Sequence, residues 1–445
     1  MKIKSLLLLC SLFLLLSSQA IAQAPKIQFE EYDLDNGLHV ILHEDHSTPI
    51  VTVSVMYHVG SKNEDPELTG FAHLFEHLMF EGSKNIERGK YSEYVEKAGG
   101  TLNASTSNDR TYYYEILPSN QLELGMWLES ERMLHAKIDS VGIATQKSVV
   151  VEEKNQRVHN RPYGSIMEET MKRAYKKHPY RWTTIGDTTH IRSSSDQDVK
   201  NFYETFYVPN NAVLTIAGDI DKDEAKKYVE QYFAPIPEGD KEIPRPDVEE
   251  PTKNEEIRDT VYDNIQLPAI IQAYHTPAMG TEDYYAVDML STLLSQGQSS
   301  RLYKTLVDQK ELAMQVALFP MPLEDPGVAL MFALPNSGVD AKKLEKAMDA
   351  EVKEVRNNLI SDREFEKLKN QFESKIVKQN NSISSRAQNL ARNYTYFENT
   401  DLINRRLEKY LDVTKEDIKR VANEYFREDN RVVLYYLPKS EKENK

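Results

Sequence analysis

Cysteine is all but missing from this chain: Cys10 stands alone among 445 residues. It sits inside an apolar run, with leucine rather than a small residue before it, which argues against a lipid-anchor site. No disulfide framework can form, so a stable fold has to come from an apolar core, which a chain of this length can supply. Long apolar runs are scarce too. Beyond Leu6–Leu16 no segment approaches the roughly 20 consecutive apolar residues a membrane span requires, so the reading is a chain without a membrane anchor. Positive charge is in deficit, with 55 lysines and arginines against 70 acidic residues and a net charge of −15. That balance argues against nucleic acid as a partner.

Residues 1–22 read as a secretory signal peptide. Lys2 and Lys4 form a basic start, Leu6–Leu16 an apolar centre, and Ala20-Ile21-Ala22 a small-x-small cleavage site before Gln23. The chain is therefore expected to be exported, to the periplasm by first choice and beyond the cell by second. Without the leader, 53 basic residues face 70 acidic ones, a net charge of −17.

The remaining length predicts two domains, 23–234 and 257–445, on the usual prior of roughly 100–200 residues per domain. Between them, 235–256 reads as an extended linker, because five prolines (235, 237, 244, 246 and 251) fall among acidic and polar residues without helical or strand periodicity. The two parts resemble each other. Asp198 to Tyr207 followed by Asn211 to Ile216 is echoed 219 residues later by Asp417 to Phe426 and Asn430 to Tyr435. Each reads as an amphipathic helix, an Asn-containing turn and a last strand. Alternating runs at Gly37–His43 and Ile50–Tyr57, a strand pair at Thr101–Ser107 and Arg110–Leu117, and a helical period over Gln121–His135 complete the pattern in the first part. Strand runs with hairpin-compatible turns, followed by helices, predict an α+β class. The predicted architecture is a tandem duplication of two largely antiparallel sheets, each with helices packed on one face.

The sharpest motif is His73-Leu74-Phe75-Glu76-His77. On a helix, residues four apart share a face, so both imidazoles can reach one ion, while Glu76 leans over the same face. Histidine pairs on helices are commonly plain surface or core features. Here the wedged glutamate and the flanking Phe71, Leu74, Phe75, Leu78, Met79 and Phe80 change the balance, since burying three ionisable groups among apolar residues is costly unless a cation compensates. The order His-x-x-Glu-His is the inverzincin signature, and a catalytic zinc wants three protein ligands with one open position. The other nine histidines form no second cluster with ligand spacing. A third ligand has to come from another segment, and Val149-Val150-Val151-Glu152-Glu153-Lys154 is the candidate.

With these residues in view, the chain resembles the pitrilysin/insulinase family of zinc metallopeptidases, in the short two-domain form of bacterial processing-peptidase-like proteins. That family carries a ligating Glu about 76 residues beyond the second His, and Glu153 lies 76 residues after His77. The resemblance extends through Gly99 to Ala104, Asn160 to Gly164, His178-Pro179-Tyr180, Tyr207 to Asn211, Gly218-Asp219 and Ser299 to Tyr303. It implies one Zn2+ per chain held by His73, His77 and Glu153, with Glu76 as the base that activates water. Glu152 is then a neighbouring helical carboxylate. It further implies an endopeptidase acting on unfolded peptides or short protein segments, with substrate added as a strand beside Asn103 and Ala104, positions that are otherwise ordinary strand residues. The alternative is a non-catalytic or peptide-binding subunit of an assembly of related chains. Under the internal alignment, at an offset of 215, Asp288, Ser291 and Thr292 occupy the positions of His73, Glu76 and His77, so the second part has the scaffold without the ligands.

Two departures from the family pattern stand out. Gln146 occupies a position where many relatives have Glu. Val307 and Met314 fall where family second halves often carry an Arg and a Tyr that reach the active site, and neither side chain can donate such hydrogen bonds. Arg301 and Tyr303 lie nearby but belong to a different family motif. The resemblance therefore implies a heterodimer with a homologous, metal-free chain that supplies the Arg/Tyr pair, with a homodimer as second choice.

Overall fold

The computed structural model describes residues 26–443. The expected signal peptide, 1–22, lies outside the described residues. A six-stranded sheet is built from β1 (Glu30–Asp33), β2 (His39–Glu44), β3 (Ile50–Tyr57), β4 (Thr101–Thr106), β5 (Thr111–Pro118) and β6 (Ala212–Gly218), in the spatial order β1-β2-β6-β3-β5-β4. A five-stranded sheet follows, from β7 (Ile257–Asp263), β8 (Ala269–His275), β9 (Ala313–Met321), β10 (Val328–Pro335) and β11 (Arg431–Pro438), in the order β7-β11-β8-β10-β9. The second order repeats the first once β1 is set aside. In each sheet one strand pair is parallel, β2 with β6 and β7 with β11, and the other pairs are antiparallel. The chain is thus an α+β protein with two sheets of one topology, and β4 and β9 are equivalent edge strands.

The helices that matter for the site are α1 (Phe71–Leu78), α2 (Leu122–His135), α3 (Ser140–Lys154), α4 (Ile166–Ala174), α5 (Glu282–Ser295), α6 (Asp362–Gln379), α7 (Ile383–Phe397) and α8 (Leu402–Leu411). One face of each sheet is packed by helices of its own part, as the sequence predicts. The opposite face is covered as well, and by the other part. From the second part, α7 lies across β3 and β6, with Leu390 and Ala391 against Ile41, Met56 and Val213. From the first part, α4 lies across β8 and β11, with Met171 and Ala174 beside Ile271, Ala273, Val432 and Leu434. This reciprocal cover explains why every residue of β6 is buried. A strand covered on both faces is apolar along its length instead of alternating.

The 237–256 segment has no regular element, yet it is tied down. Arg245 Nη2 donates to Asn211 Oδ1 at 2.5 Å, and Glu250 accepts three backbone N–H bonds, from Lys176, Lys177 and His178, at 2.7–2.9 Å. Beside it an ionic cluster joins the two parts. Lys62, almost fully buried, reaches Glu324 at 2.6 Å, Asp325 at 3.0 Å and Asp109 at 3.3 Å. His58 Nε2 also meets Glu324, at 2.9 Å.

Candidate metal centre

Helix α1 is short and apolar, and its start is unusual. Gly70 precedes it with φ +97°, a left-handed conformation, and a Cβ there would stand 2.8 Å from the Ile185 carbonyl oxygen and 2.9 Å from Ile191 Cδ1. Glycine is needed on both counts. Having no side chain, Gly70 cannot cap the helix, and Glu64 does so from outside: its carboxylate oxygens accept from Gly70 N and Ala72 N, each at 2.9 Å. Phe75 packs on Phe202, Tyr203 and Tyr207, while Tyr113 Oη donates to the Phe75 carbonyl at 3.1 Å. Behind these rings the buried Arg132 of α2 lies over Phe80, Tyr91 and Tyr113 and pairs with Glu115. The helix is therefore held from below and at its start.

On its other face α1 presents the two imidazoles, with ring centroids 4.9 Å apart and planes at 80°. Helix α3 packs against α1 and brings Glu153 to them. Its Oε2 lies 3.3 Å from His77 Nε2 and its Oε1 3.7 Å from His73 Nε2. One donor atom from each of His73, His77 and Glu153 lies within 4.8 Å of the other two. In a tetrahedral zinc site with bonds near 2.0–2.1 Å, neighbouring ligand atoms stand about 3.3 Å apart, so the donor set and its spacing fit this ion. Burial, and then the neighbouring His77, lower the pKa of His73 to about 4. Its imidazole is thus neutral at physiological pH, the form a metal ligand requires. Its Nδ1 is buried without a hydrogen-bond partner among the described residues.

Glu76 lies next to this group and its Oε2 accepts from Thr106 Oγ1 at 2.5 Å, which fixes the carboxylate against the end of β4. Asn103 and Ala104 lie on the same strand, which among the described residues is an edge of its sheet. Asn103 Oδ1 accepts from Ala104 N at 2.8 Å. Glu152 points elsewhere: it is exposed and its Oε1 accepts from Gln156 Nε2 at 3.0 Å.

Three neighbours of the site gave no local sequence signal. Thr106 comes from a strand, and Glu64 caps from a loop. Arg157 lies in a π-type turn, Asn155–His159, that continues α3, and its Nη1 is 2.6 Å from Glu153 Oε1. Gln146 donates to Glu81 Oε1 at 2.5 Å, so a carboxylate does stand beside it, contributed from just beyond α1. In the second part, Val307 packs against the core and Met314 is 55% exposed on β9. Arg301 is held by Glu364 through two bonds of 2.9 and 3.0 Å.

Comparison with known proteins agrees with the fold. Residues 39–188 match the family described as Insulinase (Peptidase family M16), and residues 194–372 match the Peptidase M16 inactive domain. The chain belongs to peptidase family M16. It is 32% identical over 440 residues to the zinc protease PqqE of Helicobacter pylori, across 98% of this chain and 99% of that one. The crystal structure of a protease from Helicobacter pylori aligns with a TM-score of 0.88 at 31% identity, covering 93% of this chain and 100% of that chain. The periplasmic protease PqqL of Escherichia coli shares the fold, with a TM-score of 0.76 at 18% identity, over 95% of this chain and 49% of PqqL. Among the described residues, no helix is long and apolar enough to cross a membrane.

Proposed function

We propose that the chain is a zinc-dependent endopeptidase in which His73, His77 and Glu153 hold the ion and Glu76 moves the protons. The observation that carries this reading is the convergence of two imidazole nitrogens from one helix and one carboxylate from another. When bound, zinc supplies Lewis acidity, lowering the pKa of water toward neutrality and polarising the scissile carbonyl. Glu76 takes a proton from the attacking water and delivers it to the leaving amine nitrogen. Thr106 keeps one carboxylate oxygen engaged and leaves the other to face the substrate. Arg157 orients Glu153 by pairing with its Oε1, the carboxylate oxygen nearer His73.

Substrate is expected to add as a strand along the free edge of β4, where Asn103 and Ala104 lie. Backbone pairing then supplies much of the binding, and extended, unfolded peptides are the suitable class. Export to the periplasm is part of the same proposal, supported by the leader-like residues 1–22. So are the domain limits 23–234 and 257–445, joined by 235–256, which are supported by the succession of the two sheets.

Among the described residues, the two positions expected to carry the family's Arg/Tyr pair do not supply it, since Val307 is packed and Met314 cannot donate, and the nearby Arg301 is engaged by Glu364. This supports a heterodimer with a metal-free related chain. Full activity of the chain purified alone, as monomer or homodimer, would refute that part.

The central test is Glu76→Gln assayed on a quenched peptide library, with zinc content measured in parallel. The variant is expected to keep its zinc and to lose turnover by about 10²- to 10⁴-fold. Equal cleavage by both forms would reject the role of Glu76 and favour a peptide-binding subunit.

A further inference from the structure

The second part repeats the helical frame of the metal centre and fills it with opposite charge. Asp288 of α5 stands where the internal alignment places His73, and Lys375 of α6 reaches it, Nζ to Oδ2 at 3.2 Å, much as Glu153 reaches the imidazoles. Tyr410 Oη of α8 donates to the same oxygen at 2.7 Å. Pro320 and Pro322, at and just beyond the end of β9, border the space as Thr106 at the end of β4 borders Glu76. Between these groups lies a cavity of about 170 Å³, also lined by Arg392 of α7 and Arg406 of α8.

Arg392 is the anomaly. Its Nε and Nη2 are buried and have no hydrogen-bond partner among the described residues. Burial, and then Arg406 beside it, lower its pKa to about 10. A buried guanidinium facing a second cation without an acceptor is costly for the fold. Lys375, Arg392 and Arg406 bring three positive charges to the cavity, against the single carboxylate of Asp288, whose Oδ2 is already engaged. The planar Nε/Nη2 edge of an arginine matches two oxygens of one carboxylate or phosphate.

We infer that this cavity is a binding site for a small oxyanion, held by the Nε/Nη2 edge of Arg392 with Arg406 and Lys375 beside it. The duplicated frame thus gathers a cation in one part and an anion in the other. The same chemistry is carried by free phosphate and by the terminal carboxylate of a peptide. The second source rests on the peptidase reading, whereas the site itself does not.

The test is thermal unfolding of the full chain, which requires no turnover. Millimolar phosphate replacing chloride at constant ionic strength is expected to raise the Tm by about 2–4 °C. In Arg392→Met that shift disappears, while the Tm in chloride equals or exceeds that of the parent, because an uncompensated charge has been removed. Arg406→Met, on a different helix, is expected to weaken the shift and serves as a second variant. An N-acetylated peptide with a free C-terminus, compared with its C-terminal amide, distinguishes the sources: stabilisation by the acid alone, lost in Arg392→Met, identifies a peptide terminus, and stabilisation by phosphate alone identifies a free anion. No shift with either ligand, or an undiminished shift in Arg392→Met, overturns the inference. Loss of cleavage in Glu76→Gln bears on the peptidase reading only, so the two can fail separately.

Discussion

The residue whose behaviour is least expected is Glu64. It does not touch the candidate metal ligands, yet it supplies the acceptors that α1 cannot draw from Gly70. Glu64→Ala should therefore cost about 1–2 kcal/mol, the range for loss of a helix cap, measured by urea denaturation. Burial pushes the pKa of Glu64 up to about 8 from its ordinary 4.5, against the lowering by its backbone N–H donors. The folded state then holds a proton that the unfolded chain releases, so this contribution to stability is full below pH 4.5 and is lost as pH rises through about 8. Glu64→Gln should flatten stability against pH across that window. An unchanged slope would mean that Glu64 is ionised throughout. None of this is legible locally, because Glu64 is separated from α1 by a loop and nothing in the intervening residues marks it as a cap.

At the scale of elements, helix α3 decides where Glu153 stands. Asp139 caps it, accepting from Gly142 N at 2.8 Å, and also pairs with Arg88 at 2.6 Å. The Gly142 bond, and then Arg88, hold the Asp139 carboxyl below its ordinary pKa. Asp139→Ala should lower stability by about 1 kcal/mol, readable as a fall in Tm. Calorimetric zinc affinity should change little, because Glu153 lies more than three turns from the lost cap. The elements themselves were largely readable. Ile50–Tyr57 forms β3 as expected, the strand expected at Thr101–Ser107 runs Thr101–Thr106, and the helix expected at Gln121–His135 begins one residue later. The π-type turn after α3 was not readable, since its composition does not distinguish it from the end of an ordinary helix.

At the scale of the molecule, stability depends on contacts between the two parts. Lys62 is a buried ionic junction between them, facing Asp109 from its own side and Glu324 and Asp325 from the other. Lys62→Met would leave three carboxylates close together without their cation. It should cost about 3–5 kcal/mol, as removal of one partner from a buried charged cluster does, and the measurement is chemical denaturation at neutral pH. Despite partial burial, the pairing with His178 and Lys62 lowers the Asp325 pKa to about 2 from its ordinary 3.8. A carboxyl with a depressed folded pKa contributes stability above its unfolded value and loses it as pH falls through the folded one. Acid sensitivity between about pH 4 and pH 2 should thus be reduced in Asp325→Asn. An unaltered acid transition would show that the junction does not govern it.

The sequence by itself determined the His-x-x-Glu-His helix, the α+β class and the internal duplication. Each is written in periodicities and spacings that a helix or strand imposes on its own residues. Glu153 became a candidate through family resemblance. The tertiary structure alone brought Thr106 to Glu76 and Glu64 to the start of α1. It also laid α4 and α7 across the opposite sheets and left the buried Nε and Nη2 of Arg392 without an acceptor among the described residues. Those arrangements depend on which surfaces meet once both sheets have formed, and packing between segments up to several hundred residues apart leaves no repeat in the chain from which it could be read.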